Sequence, residues 1–76
     1  MTRTYRVITL TDLRPDRANP HRVTTRDLKR SDAISFAGKM IRLREEQGLP
    51  AHVIVGAYDS RGYYMTRVWE DFTTAS

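Results

Sequence analysis

The chain is predicted to fold as an α+β domain: a four-stranded, mainly antiparallel sheet with one helix on one face, in the order ββαββ. Three features carry that expectation. Segments with β-type alternation lie at both ends of the chain, a single helical apolar stripe with start and stop signals lies between them, and a glycine turn closes the last two strands into a hairpin.

The first strand is read over Thr4 to Leu13, TYRVITLTDL, where β-branched and aromatic residues nearly alternate. Alternation puts Ile8 and Leu10 on one face and Tyr5 and Val7 on the other. RPDRANP follows, two prolines with Asp and Asn, which is the chemistry of a turn. HRVTTRDL returns as a weaker second strand with Val23 and Thr25 on one side and arginines on the other, suited to a sheet edge.

The helix is expected to start at Ser31, whose hydroxyl suits an N-cap, with Asp32 favourable at the positive end of the helix dipole. Ala33, Phe36, Ala37, Met40 and Leu43 make the apolar stripe. Ile34 and Ile41 widen it, with Gly38 between them. A mid-helix glycine costs up to about 1 kcal/mol relative to alanine, so it calls for a close backbone approach within the fold or a contact with another molecule. QGLP ends the helix: Gly48 takes the left-handed conformation and Pro50 blocks continuation.

The last hairpin turns at Asp59-Ser60-Arg61-Gly62, a type I turn closed by a glycine bulge. An unbroken register from that turn pairs Tyr58 with Tyr64, Val55 with Arg67, Ile54 with Val68, Val53 with Trp69 and His52 with Glu70. One face then collects Val53, Val55, Ala57, Met65 and Trp69 against the helix. The other collects Ile54, Val68, Tyr58, Tyr64 and the His52/Glu70 pair. Residues 1–76 form one domain, with a frayed tail from Thr73 to Ser76.

A chain of 76 residues buries only about 60% of its unfolded surface and has little room for an enclosed active site. It has no cysteine, which excludes disulfides and thiolate zinc sites. With no secretory signal and no membrane-length apolar run, a soluble cytoplasmic protein is expected. The sequence has two histidines far apart, no Gly-rich phosphate loop and no metalloprotease spacing. The expectation is therefore a non-enzymatic protein without a cofactor or metal.

The formal charge of +4 is concentrated at the start, where residues 1–30 carry eight Arg or Lys against three Asp. Arg14, Arg17 and Arg22 sit in or beside the projecting loop, and Arg3, Arg6 and Arg26 on the adjoining segments, interleaved with Asp12, Asp16 and Asp27. One helix covers one face of a four-stranded sheet, so the face with Tyr58, Tyr64, Ile54 and Val68 is open. It suits a protein or nucleoprotein partner, since tyrosine offers large contact area at low entropy cost. The flank around Gly38 and Ile41 is a second candidate interface, for a partner or a homodimer. The alternative is direct nucleic-acid binding, with bases stacked on Tyr58 and Tyr64 and phosphates on the six arginines. The plain reading is a solvated loop and a hairpin-stabilising tyrosine pair.

Arg61, Gly62 and Tyr63 match the start of the RNP1 motif of RRM domains. Tyr64 and Met65 depart from it, and an RRM needs a second helix, so a hairpin glycine accounts for the match. In length, basic composition and ββαββ order the whole chain resembles small phage-encoded proteins that disable host machinery, including some anti-CRISPR proteins. That resemblance rests on layout and size. It implies a binder of large assemblies, often ones that handle nucleic acid, and such a binder is expected to act by steric occlusion or recruitment.

Overall fold

The computed structural model describes residues 3–11 and 21–74. Strands β1 (Thr4–Thr11) and β2 (His21–Thr24) precede helix α1 (Arg30–Gln47), and β3 (Ala51–Tyr58) and β4 (Tyr64–Thr73) follow it. The sheet is antiparallel throughout in the order β2-β1-β3-β4, with α1 packed on one face. The predicted architecture is therefore the observed one, and β2 is indeed an edge strand. The turn RPDRANP, with Arg14 and Arg17, lies outside the described residues.

β3 is central because its composition allows burial on both sides. Val53, Val55 and Ala57 are fully buried beneath the helix, while Gly56 and Tyr58 are buried on the other face. β1 splits as its alternation predicts: Val7 joins the helix-side core and Ile8 lies on the opposite face. β2 is shorter than HRVTTRDL. Beyond Thr24 the hydroxyl of Thr25 accepts the Val7 N–H at 3.0 Å, a side chain taking over from the ladder. The Thr25 N–H still donates to the Val7 carbonyl, and the backbone bridges β1 once more where Leu28 pairs with Tyr5.

That bridge also sets where the helix begins. It holds Lys29 extended, with φ −73° and ψ 155°, so Lys29 rather than Ser31 is the N-cap, and among the described residues no side chain caps the free amides. Ser31 stands inside the first turn. The C-terminus is as read. Gly48 has φ 68°, its N–H bonds to the Glu45 carbonyl and the Leu49 N–H to the Arg44 carbonyl, both at 3.0 Å, which is a Schellman closure.

The buried side of α1 is rotated from the expected stripe. Ala33, Ala37 and Ile41 face the core, whereas Phe36 is 41% and Leu43 46% exposed. The two alanines let the helix sit close on Val7, Val53 and Val55, and the sheet then reaches Ile41 rather than Leu43. Gly38 has no packing reason within the described residues, for a Cβ placed there meets nothing within 4 Å. Gly38→Ala is accordingly expected to raise stability by up to about 1 kcal/mol in urea denaturation at low protein concentration. An unchanged or lower midpoint would mean that position 38 is constrained by something other than this fold.

The β3–β4 hairpin has the predicted turn. The Gly62 N–H bonds to the Asp59 carbonyl at 3.0 Å, Gly62 has φ 86°, and the Asp59 carboxylate accepts the N–H groups of Arg61 and Tyr63. Its register is not unbroken. Tyr58 pairs with Tyr64 as expected, but Ala57 pairs with Thr66, Gly56 with Arg67, Val55 with Trp69, Ile54 with Glu70 and His52 with Phe72. Met65 and Val68 are the surplus residues of two β-bulges. Each bulge inserts one residue on β4 alone, so the register slips by two in total. Trp69 keeps its expected place beneath the helix, Met65 is exposed, and Val68 moves from the open face to pack against the helix-side core. Thr73, expected in the frayed tail, ends β4 paired with Ala51.

Candidate partner-binding face

The sheet face away from α1 is organised in rows across the strands. Arg22, Leu10, His52 and Phe72 form one row, and Thr24, Ile8, Ile54 and Glu70 the next. Arg6, Gly56 and Arg67 form a third, and Tyr58 and Tyr64 close the end. A depression of about 250 Å³ lies on this face, lined by Ile8, Leu10, Arg22, Ile54, Tyr58 and Tyr64.

Tyr58 and Tyr64 wall one end of this depression, and Gly56 makes room for them. With no side chain at position 56, both tyrosine rings occupy the space above it: a Cβ there would lie 2.9 Å from Tyr64 Cε1 and 3.2 Å from Tyr58 Cε1. The rings meet edge to face, with centroids 5.7 Å apart and planes at 77°, a geometry worth about 0.5–1.5 kcal/mol beyond burial. The guanidinium of Arg6 lies over the Tyr58 ring at 4.3 Å from its centroid, and its Nε donates to Asp27 Oδ1 at 2.6 Å. The bond that Arg6 donates to Asp27, together with the charge of that carboxylate, holds the Arg6 guanidinium further above its already high ordinary pKa. A strand, the segment after β2 and a buried ring are thereby tied at one point.

This arrangement alters the expected tyrosine pair. Tyr58 is only 6% exposed, closed over by Arg6 and Tyr64, whereas Tyr64 is 54% exposed. One ring of the pair, not two, is exposed. At the far end His52 Nε2 and Glu70 Oε2 are 2.7 Å apart, as the sequence suggested, although the bulges make them diagonal neighbours rather than opposite ones. Arg67 Nη1 lies 3.0 Å from the other Glu70 oxygen.

Of the residues singled out beforehand, Tyr58, Tyr64, Ile54, Arg6 and Arg22 come together on this face. Ile41 and Val68 do not, being committed to the core on the opposite side. Gly38 lies in the helix layer. Leu28, on the β2 side of β1, and Phe36 line a common depression, so the other helix flank, with Ile34 and Gly38, is turned towards β4. Arg3 and Arg26 are exposed but do not line the depression. Sequence reasoning missed Leu10, Ile8 and Gly56 as site residues. For Gly56 a signal existed, since glycine inside an apolar strand marks a bulge or a close approach.

Among the described residues no group of three His, Cys, Asp or Glu is placed to hold a metal ion, and no helix is long and apolar enough to cross a membrane. Comparison of the chain with protein-family models, with curated proteins and with solved structures finds no match in any of the three.

Proposed function

We propose that the chain is a non-enzymatic binding protein that engages a protein, alone or within a nucleoprotein assembly, through the face of its sheet that no described element covers. A partner's apolar side chain enters the depression over Ile8, Leu10 and Ile54, Tyr64 covers it, and Arg22 meets an acidic group beside it. The observation that carries this reading is the apolar depression itself, with a rigid floor supplied by two strands and an arginine on its rim. Interfaces draw most of their energy from such desolvated pockets with aromatic and arginine neighbours. Such a protein acts by occlusion or recruitment, and binding of this kind agrees with what the resemblance to phage-encoded modulators implies.

Direct nucleic-acid binding is the weaker reading for a geometric reason. Stacking successive bases needs exposed aromatic faces, and Tyr58 offers none because Arg6 lies over it. Arg6 is also engaged by Asp27.

The test is affinity capture from a host lysate with and without nuclease, using the wild-type chain, Tyr64→Ala and Arg22→Glu, each checked for folding by circular dichroism. The expected result is a protein that survives nuclease and binds at least about tenfold more weakly to either variant, as loss of an interface anchor of about 1.4 kcal/mol or more requires. Capture that disappears with nuclease, or that is indifferent to both variants, would overturn the reading.

A further inference from the structure

We propose that β4 is the seam of a homodimer, pairing antiparallel with β4 of a second copy so that the two sheets run on as one. β4 is ten residues long and, among the described residues, pairs only with β3, so that no described strand lies along its outer edge. It carries neither proline nor lysine, and its charged residues and two bulges, which elsewhere can blunt an edge, here set the register of the proposed pairing.

The side chains along it are self-complementary about the midpoint between Val68 and Trp69. A two-fold axis there sets Arg67 opposite Glu70 of the second copy, Val68 opposite Trp69 and Thr66 opposite Asp71, each pair occurring twice. Opposite charges meet, apolar groups meet, and no like charges stand face to face. Arg67 and Glu70 are already oriented alike within one chain, 3.0 Å apart on the open face.

In a regular strand this register is forbidden. Directly opposed residues of an antiparallel pair share a face, whereas residues 67 and 70 of an unbroken strand point to opposite faces. The bulge removes the conflict. Because Val68 is surplus, Arg67 and Glu70 both lie on the open face, Val68 and Trp69 both lie on the helix side, and Thr66 and Asp71 share that side too. The bulge therefore supplies the parity that the charge pattern needs.

On the helix side the second copy's Val68 and Trp69 would cover half-buried Ile34, and Gly38 beside it puts no side chain in their way. An axis perpendicular to the sheet leaves both depressions on the same side of the dimer, so it would present two copies of the proposed binding face in one plane.

Sedimentation equilibrium of the full chain from low micromolar to millimolar concentration tests this, with Arg67→Glu and Glu70→Arg as variants. Each variant alone places like charges across the seam and is expected to weaken the dimer at least tenfold. An equimolar mixture restores both cross-pairs and is expected to form a one-to-one heterodimer, visible by native mass spectrometry. A wild-type chain that stays monomeric at millimolar concentration overturns the proposal. So does a dimer indifferent to both variants, or a mixture of folded variants that does not associate. On the unmodified protein, amide exchange over Arg67 to Glu70 should slow as concentration rises. A doubling of mass without that slowing would place the contact elsewhere.

Discussion

Ile41→Ala is expected to destabilise the protein by about 2–4 kcal/mol, a large part of the stability available to so small a domain. The side chain is almost wholly buried between α1 and the central strands, packed with Val7, Val53 and Val55. Truncation removes its transfer energy and leaves a cavity that two alanines on the same helix face cannot fill. The expected loss in Tm is about 10–25 °C for a domain of this size. Leu43→Ala, two residues on but exposed, should cost less than about 1 kcal/mol. Thermal unfolding of the two variants side by side is decisive, because a larger cost at Leu43 would mean that the helix is seated on the other flank.

The second large effect belongs to Gly56. Alanine there brings its Cβ against Tyr64 and Tyr58. Tyr58 cannot retreat, lying under Arg6 in a closed position, so the strain falls on Tyr64 or on the β3–β4 ladder. Overpacking of this kind costs about 1–3 kcal/mol. In a Tyr64→Ala background the nearest clash is gone and the same substitution should cost measurably less, with a coupling of at least about 0.5 kcal/mol in a double-mutant cycle. Simple additivity in urea denaturation would sink the account of Gly56 as the seat of the tyrosine pair.

Features that depend on a few adjacent residues were legible in the sequence. The Asp59 to Gly62 turn, the Gly48 helix stop, the division of β1 into a Val7 face and an Ile8 face, and the ββαββ order all follow from local backbone chemistry and periodicity. What escaped was decided between elements. The bulges at Met65 and Val68 arise from fitting β4 to β3, and no residue in MTRVW announces them. The rotation of α1 towards Ile41 depends on which part of the stripe the sheet reaches. The candidate face was half legible. Tyr58, Tyr64 and Ile54 lie on one hairpin and could be placed together, whereas Leu10, Ile8 and Arg22 join them only because β1 sits between β2 and β3.

That strand order also governs when the fold can come into being. β1 lies beside β3 in space, but all of β2 and α1 separate them along the chain. A two-stranded β1–β2 unit has no sheet partner for its second edge and is marginal by itself in water. The β3–β4 hairpin needs only its own short turn to close, an event on the order of microseconds. During synthesis the N-terminal half must therefore wait, its apolar residues uncovered, until the central strand emerges to receive it.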